Sequence, residues 1–147
     1  MLTTRSLGLD IGDKRIGVAL SDPGNILASP FTIIDRKEDR QALEAIINII
    51  KQHQVKQIVA GLPRSMDGST GKQAEKVTAF VQKLCSLTEV PLVFRDERLT
   101  TVSAKRLMQA ASTKKTRKTT RGKARDDAIA AALILQSYLD EAHEVML

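Results

Sequence analysis

The sequence predicts one mixed α/β domain built around a single sheet. Three observations carry that prediction. The 147 residues, 42% of them hydrophobic, suffice for one domain with a real core and not for two of ordinary size. Three short apolar runs separated by turn residues open the chain, and beyond them stretches of helical apolar spacing alternate with β-branched runs. Ser6 to Asp10 is a short apolar strand ending in Gly12-Asp13-Lys14, and Ile16 to Ser21 is a second strand that completes a hairpin. A third extended piece, Phe31 to Ile34, follows the turn Asp22-Pro23-Gly24. Leu43, Ile46, Ile47 and Ile50 then recur at helical spacing in a helix that opens near Asp39. Gln57 to Gly61 is a β-branched strand and Leu62 to Gly71 a turn-rich loop; Ala74, Val77, Val81 and Leu84 mark a second helix, with Thr70 and Gln73 as its capping box. Pro91 to Arg95 is another strand, Ala104, Leu107, Met108 and Ala111 outline a short helix, and a final helix runs from about Arg125 to His143. Strands joined through helices should run parallel, which makes the carboxyl edge of the sheet the natural place for a site.

Composition narrows the chemistry. The single cysteine, Cys85, permits no intramolecular disulfide, and with His53 and His143 as the only histidines no thiolate or imidazole cage can form. Any metal is therefore held by oxygen. No apolar h-region lies among Arg5, Asp10 and Asp13, and the longest apolar run, Ala128 to Leu135, is far shorter than the ~18 residues of a membrane span. The expectation is a soluble cytoplasmic protein with no membrane partner.

The net charge of +6 comes from one place. Lys114, Lys115, Arg117, Lys118, Arg121, Lys123 and Arg125 are seven basic residues in a stretch without an acid, leaving sixteen basic against seventeen acidic residues elsewhere. Localised charge of this kind is the footprint of phosphate-backbone binding; the plainer alternative is a solvated loop. Aromatic residues are only 3% of the chain, which disfavours a base-stacking platform.

Three acids stand where chemistry is expected. Asp10 ends the first strand among apolar neighbours and glycines, Gly8-Leu9-Asp10-Ile11-Gly12, where it either satisfies donors of the turn or ligates a metal. Glu97 stands just past another strand in Phe94-Arg95-Asp96-Glu97-Arg98. Alternation sends Asp96 and Glu97 to opposite sides, so only one faces the site with Arg95, and a local salt-bridge cluster of these four charges is the competing explanation. The third acid is Asp127 or its neighbour Asp126. Asp127 shares a helical face with Ala130, Ala131 and Ile134, whose small members would let the helix approach the sheet; first-turn electrostatics would account for the other acid. Three carboxylates from separated elements suit Mg²⁺ or Mn²⁺, and two such ions roughly 3.5–4 Å apart can hydrolyse a phosphodiester without a protein nucleophile. Gly8, Gly12 and Gly17 are not spaced as a dinucleotide fingerprint, Gly71-Lys72 has no P-loop glycine before it, and Ser65 and Ser69 have no nearby histidine to activate them.

Four blocks carry a resemblance: Asp10-Ile11-Gly12-Asp13-Lys14-Arg15-Ile16-Gly17-Val18-Ala19; Gly61-Leu62-Pro63 with Met66-Asp67-Gly68-Ser69; Asp96-Glu97-Arg98-Leu99-Thr100-Thr101; and Asp127 with Ala130-Ala131 and Ile134-Leu135-Gln136. In this order, over nearly the whole chain, they resemble the bacterial YqgF family, also called RuvX, of pre-16S ribosomal RNA nucleases and Holliday-junction-resolvase-like proteins. The resemblance implies a ribonuclease H-like fold, a five-stranded mixed sheet flanked by helices spanning residues 1–147 as one domain. It also implies Asp10, Glu97 and Asp127 as catalytic metal ligands, with the doubled acid leaving Asp126 as the lesser alternative. The loop from Arg64 and the run Arg98, Thr100 and Thr101 would border the site, and Lys14 and Arg15 would meet substrate phosphates. The implied substrates are a structured RNA precursor, within ribosomal precursor particles, or a branched DNA. The protein would act as a monomer or, for paired junction cuts, a homodimer. The rivals are half of a sugar-kinase or actin-like ATPase, which the length disfavours, and a catalytically silent RNA-binding assembly factor.

Replacing Lys114, Lys115, Arg117 and Lys118 by Ala is expected to weaken nucleic-acid binding for every sequence and flatten its salt dependence, read by titration at several salt concentrations; an unchanged slope would refute it.

Overall fold

The computed structural model describes residues 5–63, 71–96 and 120–146. Strands β1 (Ser6–Ile11), β2 (Arg15–Ser21) and β3 (Ala28–Asp35) come first, followed by α1 (Asp39–Gln52), β4 (Gln57–Leu62), α2 (Lys72–Cys85), β5 (Leu92–Asp96) and α3 (Thr120–Met146). The strands form one sheet in the order β3-β2-β1-β4-β5. β1 and β2 pair antiparallel, as do β2 and β3, whereas β1–β4 and β4–β5 are parallel. The parallel pairs are the ones reached through helices, as expected. The short helix expected around Ala104 to Ala111 lies outside the described residues.

Alternation along the strands separates two cores. Leu7, Leu9 and Ile11 of β1, Ile16, Val18 and Leu20 of β2, and Ile58 and Ala60 of β4 face α1 and α2, packing on Leu43, Ile46, Val77, Phe80 and Leu84. Complete burial of such side chains stabilises by about 1.5–3 kcal/mol each. The opposite face presents small residues. Gly8 and Asp10 alternate with the β1 leucines and Gly17 and Ala19 with the β2 apolar set; Ala19 and Val59 pack on Ala131, Ala132, Ile134, Leu135 and Leu139 of α3.

That choice of small residues sets how near α3 lies. A Cβ built on Gly17 would fall 2.0 Å from the carbonyl oxygen of Asp127, and one on Gly8 would fall 2.8 Å from both the Ala131 carbonyl and Leu135 Cβ. Helix backbone thus rests directly on strand backbone at two points along the α3 axis, four residues apart on the helix and on neighbouring strands of the sheet.

Three boundaries differ from the sequence reading. β3 begins at Ala28 rather than near Phe31, because α3 supplies a partner: Gln136 Oε1 accepts from the Ala28 amide at 2.8 Å. Pro30 is accommodated because β3 is an edge strand with a register shift opposite it, between Val18 and Ala19. α2 has Gly71 as N-cap with no side-chain cap, one residue later than the expected capping box of Thr70 and Gln73; Thr70 itself lies outside the described residues. α3 starts at Thr120, which puts Arg121, Lys123 and Arg125 within the helix and leaves no acid in its first turn. The macrodipole explanation for one of Asp126 and Asp127 therefore falls, since the effect fades beyond the first turn.

Gly17→Ala is expected to lower stability by more than about 3 kcal/mol and Gly8→Ala by about 1–3 kcal/mol, because the former drives a methyl into helix backbone that cannot yield. Urea unfolding of both variants checks the order; equal losses would contradict it.

Candidate active site

The β1–β2 ladder sets Asp10 directly opposite Gly17. Opposed residues in an antiparallel pair project on one face with Cα atoms about 4.5–5.5 Å apart. Gly17 is also where the α3 backbone at Asp127 touches the sheet. Two acids 117 positions apart in the chain are thereby brought to one place on the α3 face, at the carboxyl end of β1. Both offer oxygen donors only, the chemistry a hard divalent cation requires. Among the described residues no group of three His, Cys, Asp or Glu side chains gathers as a metal site. Glu97, the expected third ligand, lies outside the described residues, as do Arg64, Arg98, Thr100, Thr101, Lys114, Lys115, Arg117 and Lys118. Asp126, Arg121 and Lys123 lie on the first two turns of α3.

Arg15, expected to meet substrate phosphate, is engaged in an ion pair within the fold. Its Nε donates to Asp127 Oδ2 at 3.0 Å, the two side chains being 34% and 35% exposed. The β2–β3 register sets Asp35 directly across from Arg15, yet the guanidinium pairs with the helix acid. A pair this accessible to water is worth about 1 kcal/mol or less.

On β5, Arg95 faces α3. Its Nε donates to Ser137 Oγ at 3.2 Å and its Nη1 pairs with Glu141, both on α3. Asp96, paired in register with Leu62, therefore faces the α1–α2 side, away from the face of Asp10. Arg95 thus binds across to the helix, while Glu97 and Arg98 of the expected local cluster lie outside the described residues. The signal was present in the alternation of the strand, but its partners are 42 and 46 residues away.

Sequence reasoning missed Arg36. The hairpin between β1 and β2 is closed by the Gly12 amide donating to the Arg15 carbonyl at 2.9 Å. The chain leaving β3 returns to this tip: the Arg36 amide donates to the Lys14 carbonyl at 2.9 Å, and Arg36 Nη1 donates to the Gly12 carbonyl at 2.9 Å. The same guanidinium donates through Nε to Asp39 Oδ1 at 2.9 Å and lies 4.7 Å from the centre of the Phe80 ring. Lys76 of α2 reaches Asp13 at 3.7 Å from the other side. The Arg36 hydrogen bond holds the Asp39 carboxyl below its ordinary value, with the charges of Arg36 and Lys83 adding to it against the opposing effect of burial. Nothing in the residues around Arg36 announces this role, because its partners come from three separate elements.

A protein-family model described as RuvX, Holliday junction resolvase, matches residues 4–141. A Roseiflexus sp. (strain RS-1) protein named "Putative pre-16S rRNA nuclease" is 46% identical over 136 residues, covering 92% of this chain and 94% of that protein. A protein of the same name from Dehalococcoides mccartyi is 49% identical over 133 residues, covering 90% and 96%. Among solved structures, T. thermophilus RuvC in complex with a Holliday junction substrate superposes with a TM-score of 0.58 at 12% identity, over 95% of this chain and 96% of that one. That likeness is one of fold, the five-stranded mixed sheet with helices on its faces that is expected of the ribonuclease H-like class.

Arg36→Met is expected to cost about 1–2 kcal/mol at neutral pH, chiefly by stranding the Gly12 carbonyl, since the Asp39 carboxylate loses one cation but keeps Lys83 and contact with water. Because the folded Asp39 value lies below 3.8, its contribution is complete above that value and is lost as pH falls through the lower, folded one. The stability gap between wild type and variant, measured by urea unfolding, should therefore narrow on acidification; a gap that widens would contradict the pairing.

Proposed function

Because this chain belongs to the RuvX Holliday junction resolvase family, we propose that it is a divalent-metal-dependent endonuclease that hydrolyses phosphodiester bonds at the 5′ end of precursor 16S ribosomal RNA, in the cytoplasm. The observation that carries this reading is the meeting of Asp10 and Asp127 across Gly17. Bringing two acids against helix and strand backbone raises electrostatic cost, and an arrangement of that kind supports a site that holds a cation. The relatives' shared name supports the RNA substrate.

Asp10, Glu97 and Asp127 are the proposed ligands, with Asp127 favoured over Asp126 because its own backbone forms the Gly17 contact. Bound there, Mg²⁺ or Mn²⁺, expected as a pair, supplies the Lewis acidity for phosphodiester hydrolysis. The chain's own residues do the rest. Gly12 and Arg36 hold the hairpin that carries Asp10, so the carboxylate is presented without reorganisation. Lys14, exposed at the hairpin, binds substrate phosphate, with Arg64, Arg98, Thr100 and Thr101 bordering the cleaved strand. Lys114, Lys115, Arg117, Lys118, Arg121 and Lys123 are the further phosphate-backbone contacts of this reading. A second reading, cleavage of four-way DNA junctions by a homodimer, is favoured by the family description and would require two symmetric sites.

The test compares a 5′-extended 16S precursor with a four-way DNA junction, each with Mg²⁺ or Mn²⁺. Wild type should cut the RNA precursor. Asp10→Asn and Asp127→Ala should lose on the order of 100-fold or more in rate, and Asp126→Ala should not. Preferred cutting of the junction would move the assignment to recombination. Binding without cutting would leave an RNA-binding assembly factor, and equal activity in the two alanine variants would remove Asp127 from the ligand set.

A further inference from the structure

We propose that Arg15 is a built-in counter-ion of Asp127 that a divalent cation must displace, so that occupation of the site by metal is what frees Arg15 to face substrate. This rests on the reading of Asp10 and Asp127 as ion ligands. The argument begins with what is held and what is not. The Asp127 backbone is held against the sheet, because α3 packs there through Ala131, Ala132, Ile134, Leu135 and Leu139 and lies directly on Gly17. The Arg15 backbone is likewise held, its carbonyl accepting from Gly12 and its Cα in register with Asp35. Only the two side chains are free to rearrange, and with about a third of each exposed they can separate without opening the core.

The choice of partner adds a second argument. Opposite charges set directly across a β-ladder pair readily, yet Arg15 passes over Asp35 and donates to Asp127 Oδ2 at 3.0 Å. The positive charge therefore sits on the carboxylate that shares a face with Asp10, where it offsets the repulsion between those two acids. A divalent cation meets the same need with twice the charge and repels the guanidinium. Once displaced, Arg15 has Asp35 as a waiting acceptor across the ladder and a phosphodiester as a better one, since guanidinium matches phosphate geometry. The phosphate contact expected of Arg15 and its ion pair with Asp127 are then two successive states of one side chain.

Two measurements on the full chain test this. The first is the ¹⁵N–¹H signal of the Arg15 Nε–H, assigned by its absence in Arg15→Gln and followed during Mg²⁺ titration. It should begin at the position of the Asp127 pair and leave it as Mg²⁺ binds, and in Asp127→Ala it should already be away from that position without metal. The second is Mn²⁺ affinity by electron paramagnetic resonance. Arg15→Gln should bind Mn²⁺ about five- to tenfold more tightly than wild type, because both a competitor and a like charge are gone. If Mg²⁺ saturates the protein without moving the signal, or if Arg15→Gln binds Mn²⁺ no better than wild type, Arg15 is no such counter-ion. Asp10→Asn and Asp127→Asn separate the two levels of the argument. Loss of Mn²⁺ binding in both, with Arg15→Gln at wild-type affinity, overturns the counter-ion alone; wild-type Mn²⁺ affinity in both overturns the ligand assignment beneath it as well.

Discussion

Backbone-on-backbone contact between α3 and the β1–β2 pair is the constraint from which the site follows. Two glycines make it: Gly17 beneath Asp127 and Gly8 beneath Ala131 and Leu135. An ordinary side chain at either position would lift the helix from the sheet. Because Gly17 stands opposite Asp10 in the ladder, the contact that sets the height of the helix also sets the separation of the two acids. Packing and chemistry are here the same geometric fact. Ala131, Ala132, Ile134, Leu135 and Leu139 of α3 bury the rest of that face and hold the helix down.

The hairpin that carries Asp10 and Arg15 has little apolar area of its own at the tip, where Asp13 and Lys14 are exposed. Its order comes from charge-assisted hydrogen bonds supplied from outside. Arg36 binds the Gly12 carbonyl, the first turn of α1 through Asp39 and the Phe80 ring of α2, so one side chain ties the tip to both helices of the opposite layer. Arg95 does the corresponding work on the other flank, fastening β5 to α3 through Ser137 and Glu141. The site edge of the sheet is thus braced on both faces by arginines whose planar donors can serve several acceptors at once.

Much of this was readable from residue order. The short apolar runs of β1 and β2, the β-branched run of β4 and the helical spacing of Leu43, Ile46 and Ile50 are local properties, and each became the element expected. Asp10 stood out as an acid ending an apolar strand, and Asp127 as an acid sharing a face with Ala131 and Ile134, which pack on the sheet as anticipated. The start of β3 was less legible because its first amide bonds to Gln136, 108 positions later. The start of α3 was misjudged because a run of lysines and arginines reads as solvated loop until the backbone is seen to be helical.

The sequence by itself determined the order of the described strands and helices, the acid residues of the proposed donor set and the concentration of positive charge in one stretch, because these depend on periodicity and composition along the chain. Tertiary structure alone decided that Gly17 lies between Asp10 and Asp127, that Arg15 chooses Asp127 over Asp35, that Arg95 reaches Glu141, and that Arg36 holds Gly12. Each of those is a meeting of residues far apart in sequence, and which of several nearby charges pairs with which depends on distances that exist only once helix and sheet have packed.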